Sequence, residues 1–245
     1  MDNVQYVGLS KQMTLRHELD VVANNVANID TVGFKVESLT TQADPQSLPA
    51  QDSGPRLVNF VIDTGVVRDF GQGALKETGS PLQLALQGRG FFRINTAAGE
   101  RYTRDGQFSL DAQGRIVTAD GDPVQGDGGD ITLDQKKGAP HIAEDGTVTQ
   151  QGQQVGKVAV VDFASLSALA KDSGNLYRNV SNLQPTPAAA TTHVRQGMVE
   201  ASNVEPITQI TRLIEVQRTY ESIAKIMSDT SDLSSKSIDK LGSLN

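Results

Sequence analysis

The sequence predicts a mainly β central domain, an irregular sandwich or barrel, inserted between N- and C-terminal α-helices that form a coiled-coil-like layer on assembly. Three observations predict it. Apolar residues near both chain ends recur at alternating intervals of three and four, which is the period of one helix face. Between the ends they fall instead into short runs. Most of the 23 glycines lie in that middle part and punctuate the runs, as turns between strands do.

Residues 1–35 read as an N-terminal amphipathic assembly helix. The first 30 contain a single glycine and no proline, and Leu15, Leu19, Val22, Val26 and Ile29 are spaced 4, 3, 4 and 3. Asp2 or Asn3 can cap its start, and Asp30 to Gly33 ends it. Such a helix is about 40 Å long at ~1.5 Å per residue. Residues 36–72 read as a linker and extended segment, because Pro45, Pro49, Gly54 and Pro55 interrupt any period.

Residues 73–196 read as the central β domain. Short apolar runs such as Leu82–Leu86, Phe91–Ile94 and Val155–Phe163 alternate with the turn pairs Asp105-Gly106, Asp120-Gly121 and Asp145-Gly146. Phe91, Phe92 and Phe108 are the expected aromatic core, and Gln184-Pro185-Thr186-Pro187 reads as a second linker. Residues 197–245 read as a C-terminal amphipathic assembly helix. Leu213, Val216, Tyr220, Ile223, Met227 and Thr230 are spaced 3, 4, 3, 4 and 3, and Ile207, Ile210 and Ile214 widen the stripe. Ser202 to Glu205 reads as a capping box with Pro206 in the first turn, and the helical pattern is clear to Asp232.

Neither seam has a local surface to bury it, and most helix stability comes from tertiary packing. The two ends must therefore pack on each other, on the β domain or on other molecules. A repeat near 3.5 favours a coiled-coil partner.

The chemistry search is negative. Net charge is −7, from 22 basic and 29 acidic residues, and only 4% of residues are aromatic. That balance offers neither phosphate neutralisation nor stacking platforms, so no nucleic-acid partner is expected. There is no cysteine, which excludes disulfides and thiolate metal sites. His17, His141 and His193 show no metal-ligand spacing. Ser222-Ile223-Ala224-Lys225 and Ser237-Ile238-Asp239-Lys240 match a short nucleophile pattern with none of its companion motifs. Gly71-Gln72-Gly73 and Gly88-Arg89-Gly90 lack phosphate-loop spacing. The acidic stretch Asp120 to Asp130 has Gln125 and Ile131 where a calcium loop needs Gly and Glu. No catalytic, cofactor or metal site is expected, and the role expected is structural rather than enzymic. No run reaches the ~18 apolar residues of a spanning helix, so no membrane insertion is expected. The opening Met1 to Tyr6 lacks the basic and apolar regions of a cleavable secretory signal.

Three segments carry a resemblance. Ala23-Asn24-Asn25-Val26-Ala27-Asn28-Ile29-Asp30-Thr31-Val32-Gly33-Phe34-Lys35 resembles the N-terminal signature of the flagellar rod, hook and hook-associated family. Leu84 to Phe92 and Arg101 to Phe108 resemble the central domain of that family. Gly197 to Val204, with Glu215 to Glu221, resembles its C-terminal segment. Within the family, the short chain and the opening Val4 to Met13 look most like the proximal-rod F-type branch.

The resemblance implies a structural subunit of the bacterial flagellar basal-body rod that transmits torque from motor to hook. It implies export through the flagellar type III apparatus, assembly in the periplasm, and helix packing against other rod subunits. Terminal helices would form the inner layer of a tube, with the β domain outside and the ends disordered in the isolated subunit. The assembly interface expected comprises Leu15, Leu19, Val22, Asn25, Val26, Asn28, Leu213, Val216, Tyr220, Ile223 and Met227. The asparagines are included because buried amides can fix helix register; the competing reading is a frayed helix end with capping asparagines. A distal-rod or hook-family member, a periplasmic β-domain binding module and a cytoplasmic coiled-coil adaptor are the alternative readings.

Overall fold

The computed structural model describes residues 2–43, 61–181 and 183–242. The chain divides into two compact units, each drawn from separated stretches. Unit 1 gathers Met1–Ala27, Glu37–Asp69 and Glu205–Asn245, and unit 2 gathers Asn28–Val36 and Phe70–Val204.

Unit 1 holds two long helices, α1 (Asp2–Ala27) and α2 (Pro206–Gly242), and a hairpin of β1 (Glu37–Ala43) and β2 (Val61–Arg68). The helices lie alongside one another, and the hairpin packs on α1. Both ends of the chain are therefore helical within one molecule, because each seam supplies the apolar surface that the other lacks. α1 stops at Ala27, short of the Asp30–Gly33 end that the seam suggests.

The hairpin pairs Glu37 with Arg68 and Ala43 with Val61 in antiparallel register, with a bulge between Thr40 and Thr41. Part of what reads as linker is thus strand; Thr40, Thr41, Val66 and Val67 suit a pleated surface. Pro45, Pro49, Gly54 and Pro55, which suggest the linker, lie outside the described residues.

Pro206 opens α2, where its missing N–H costs no bond. The residue before it does the capping. The Glu205 carbonyl accepts from the Gln209 amide at 3.1 Å, and its carboxylate accepts from the Thr208 hydroxyl at 3.0 Å. The expected box fails because Ser202 bonds the amide of Val204, only two residues on. α2 continues to Gly242, beyond the clear periodicity at Asp232, since propagation adds one bond per residue fixed.

In unit 2 the strands are short. β3 (Leu75–Glu77), β4 (Leu84–Gln87), β5 (Phe91–Thr96), β6 (Gly99–Thr103), β7 (Ser109–Leu110), β8 (Ile116–Val117), β9 (Gln125–Gly126) and β10 (Gly129–Asp130) come first. β11 (His141–Ile142), β12 (Thr147–Gln150), β13 (Gln153–Lys157), β14 (Val160–Asp162), β15 (Leu169–Lys171), β16 (Leu176–Asn179) and β17 (Thr186–Pro187) follow. β18 (His193–Gln196) and β19 (Met198–Glu200) complete the unit.

The largest sheet has the order β15-β16-β6-β5-β14-β17; β11-β12-β13 form a three-stranded sheet, and β9-β10, β4-β18, β3-β19 and β7-β8 form two-stranded ones. Thr186-Pro187, which reads as linker, is its edge strand, the position in a sheet where a proline costs no ladder bond.

Successive side chains of a strand point to opposite faces, so Phe91 and Phe92 serve two different cores. Phe92 joins Leu84, Leu86, Ile94, Phe108, Val124 and Val148, with its ring 5.2 Å from Phe108 in edge contact. Phe91 joins Tyr102, Phe163, Leu169 and Tyr177 on the other face, with Phe70 packed against them. The expected aromatic core is therefore split by the pleat of β5.

Candidate assembly surface and buried charged cluster

α1 and α2 run antiparallel. Gly8 faces Met227, Glu18 bonds Arg212, and Asn25 bonds Gln209 at 3.2 Å. A Cβ on Gly8 would stand 2.9 Å from the Met227 side chain, so the helices approach closely there. Of the expected interface, Leu15, Val22 and Val216 are buried. Leu19, Val26, Leu213, Tyr220, Ile223 and Met227 are half-buried. Leu15 and Val216 line one groove with Glu18 and Arg212.

The two asparagines differ. Asn25 is fully buried; its amide donates to the Glu37 carbonyl at 2.7 Å, and its carbonyl accepts from the Glu37 amide at 2.9 Å. It thus replaces a missing strand partner for β1 and fixes register within unit 1. Asn28 belongs to unit 2, where its side chain accepts from the Thr31 hydroxyl at 3.0 Å and its carbonyl from the Thr31 amide at 3.3 Å. That local turn competes with the helix, which is the physical reason α1 ends before it.

The helices also carry apolar side chains away from the buried positions. Tyr6, Leu9 and Met13 are spaced 3 and 4 along α1, and Tyr6 and Met13 are 62% and 66% exposed. Ile207, Ile210 and Ile214 repeat that spacing on α2, and Ile207 is 82% exposed. The three isoleucines therefore form a separate stripe, not a widening of the seam. Near-100° steps put them roughly 140° from Val216 and its neighbours around the helix.

Unit 2 contains a constellation that periodicity could not reveal. Glu200 is 0% exposed, Lys35 1% and Arg104 3%. One Glu200 oxygen takes the Lys35 ammonium and the Gly73 amide, and the other accepts from Arg104 at 3.1 Å. Lys35 also donates to the Gly71 carbonyl at 2.7 Å, and Arg104 to the Gly88 carbonyl at 2.8 Å. Arg104 lies over the Phe91 ring at 5.4 Å. Burial lowers the Arg104 pKa from its ordinary value, and Glu200 opposes that shift.

The backbone around the cluster is equally tied. The Gly33 amide donates to the Glu200 carbonyl at 2.7 Å, and the Asn203 side chain accepts from the Val36 amide at 2.8 Å. Asn175 donates to the Val32 carbonyl at 2.8 Å. Gly33 adopts φ +70°, and a Cβ there would meet the Asp105 amide nitrogen at 2.4 Å, so only glycine fits. Next to Arg104, burial raises the Asp105 carboxyl to about 6, against the bond it accepts from the Gln107 amide.

Lys35, Arg104 and Glu200 come one from each of the three segments that carry the family resemblance. The available signal in the sequence was a charge close to a glycine and apolar residues in each, as in Gly33-Phe34-Lys35 and Gly197-Met198-Val199-Glu200. Among the described residues no three His, Asp or Glu side chains are grouped to hold a metal ion.

Three family matches follow the same segments. The flagella basal body rod protein family matches residues 6–35, the flagellar hook protein FlgE/F/G D1 domain residues 85–150, and the flagellar basal body rod FlgEFG protein C-terminal region residues 195–240. A flagellar basal-body rod protein FlgF of Caulobacter vibrioides is 49% identical across the whole of both chains. One from Mesorhizobium japonicum is 35% identical over 99% of each. A flagellar basal-body rod protein FlgG of Bacillus subtilis is 33% identical over 93% of this chain and 95% of its own. The seams at both ends, the β domain between them and end-to-end identity with rod proteins converge: the chain belongs to the flagellar basal-body rod protein family and is of its F type.

Proposed function

We propose that the chain is a structural subunit of the bacterial flagellar basal-body rod, joined to other rod subunits by helix packing and carrying torque from motor to hook. The observation that carries this reading is the outer apolar stripe on each helix: Tyr6, Leu9 and Met13 on α1, and Ile207, Ile210 and Ile214 on α2. The seam residues Leu15, Val22 and Val216 already meet apolar surface inside unit 1, so the stripes are what remains for neighbours. Repeated apolar exposure on a helix face marks an interaction surface. Contacts between unlike faces of identical or related subunits build helical filaments where their rotation does not close into a ring. Each Leu or Ile covered contributes about 1.5–3 kcal/mol, so a few per subunit suffice to hold a polymer.

The same reading places the protein in the flagellar basal body, within the periplasm, after export through the flagellar type III apparatus. The absence of cysteine suits a chain that crosses an export channel unfolded. The paired helices would serve as the coiled-coil-like assembly layer, and the β domain as its outer body. The expected role is mechanical rather than catalytic.

The test is a chain carrying Ile210→Asp and Ile214→Asp. Both side chains are exposed, so the purified variant should keep the circular dichroism and melting temperature of the parent. Cells expressing it should be non-motile, with basal bodies that lack a complete rod by electron microscopy. Full motility with normal rods overturns the assignment of these faces.

A further inference from the structure

The buried cluster of Lys35, Arg104 and Glu200 is not used by the helix faces just described. It sits where the chain enters and leaves unit 2. Residues 28–36 run beside residues 199–204, tied by Gly33 to Glu200, by Asn203 to Phe34, and by Val36 to Asn203. One of these stretches leads to α1 and the other to α2. Lys35 and Glu200 are 165 residues apart in sequence, so their contact forms only once the β domain between them is in place.

We propose that Lys35, Arg104 and Glu200 form an ionic clasp that holds the two exits of unit 2 side by side, making them positioning residues for assembly. This rests on the rod reading. A buried ion pair is weak evidence for stability, since desolvation offsets most of the attraction. Its value lies in specificity: the Glu200 carboxylate satisfies one Lys, one Arg and one backbone amide at once, and no register shift of the strap 28–36 reproduces that set. Phe34 adds a shape constraint, buried and with the Lys171 ammonium 4.7 Å from its ring centre.

The experiment uses the full chain with Glu200→Gln, Lys35→Met and the double variant. Hydrogen exchange reads the amides of residues 33–36 and, as a control, those of β12 and β13, whose paired strands include none of Lys35, Arg104 and Glu200. Glu200→Gln should lower protection of the strap by roughly a hundredfold or more, the effect of removing one partner from a buried ion pair, with β12 and β13 unchanged. Lys35→Met, which keeps the Arg104–Glu200 pair, should cost less. The double variant should be no worse than Glu200→Gln alone, because one of the two cations that lost their partner is also removed. Additive losses, or a strap that exchanges as in the parent, overturn the clasp.

In cells, Glu200→Gln should abolish motility although its helix stripes are untouched. Retained motility with a loosened strap overturns the positioning role and leaves the rod reading to the Ile210 and Ile214 variants, whose failure would in turn leave the exchange result standing.

Discussion

Unit 2 buries Leu84, Ala85, Leu86, Phe92, Ile94, Val124 and Val148 to 1% exposure or less. In unit 1, by contrast, α2 buries a single side chain among its described residues, Val216, although it runs from Pro206 to Gly242. The difference lies in where each unit directs its apolar residues. Strands of unit 2 send them to two enclosed cores, whereas the helices of unit 1 divide them between a narrow seam and an outer stripe. A helix with apolar side chains on more than one face keeps apolar surface for a further partner once its seam is filled. On the proposed rod reading, unit 2 encloses its own core, and the outer stripes of unit 1 are left for neighbouring subunits.

The largest expected effect tests the first half of that contrast. Phe92→Ala removes a fully buried ring in edge contact with Phe108 and should cost about 3–5 kcal/mol. Calorimetry should show the unit 2 transition moved far down in temperature or lost. If it barely moves, the core of unit 2 is not its main support.

Asn25→Leu probes unit 1 in the same way. It leaves the amide and carbonyl of Glu37 without their side-chain partner, at about 1–3 kcal/mol for each group. Exchange protection of β1 should fall while the unit 2 transition stays where it was. A change in unit 2 instead would mean that the two units do not separate as described.

Asp105 gives a pH test confined to unit 2. Its native carboxyl, raised from 3.8 to about 6, binds a proton more tightly than in the unfolded chain. Stability from this group is therefore complete below about pH 4 and is lost as pH rises through 6. At ~1.36 kcal/mol per unit the loss is at most about 3 kcal/mol. Asp105→Asn keeps an acceptor for the Gln107 amide and should raise the melting temperature at pH 7 while flattening its dependence between pH 4 and 7. An unchanged slope would show that Asp105 is not its source.

The smallest effect is expected from Arg212→Ala. The Arg212–Glu18 pair joins α1 to α2, but Arg212 is more than half exposed, so the loss should be under about 1 kcal/mol and should shrink further in salt. A larger loss would mean that unit 1 depends on charge more than on its seam.

Much of this architecture was legible beforehand. The seam residues Leu213, Val216, Tyr220, Ile223, Met227 and Thr230 are among those α2 turns inward, because a helical period is a local property of the chain. The short strands and their turns were legible for the same reason. The end of α1 was not, since it depends on Asn28 bonding Thr31 rather than continuing the helix. Nor was the pairing of β1 with β2, because residues 44–60 separate them, far more than the roughly two to five of a hairpin turn. In the sequence the stripe of Ile207, Ile210 and Ile214 reads as part of the seam, because sequence shows which residues share a side of a helix only approximately and not what lies opposite them.

Sequence alone determined that this chain has apolar helices at both ends, a β domain between them and no recognisable catalytic chemistry, since periodicity and residue type are local and survive without a partner. Only the tertiary structure decided that the two seams face each other within one chain, and that Lys35 and Arg104 share the buried carboxylate of Glu200. Those are contacts between residues tens to hundreds of positions apart, and their energy depends on burial that no stretch of sequence carries by itself.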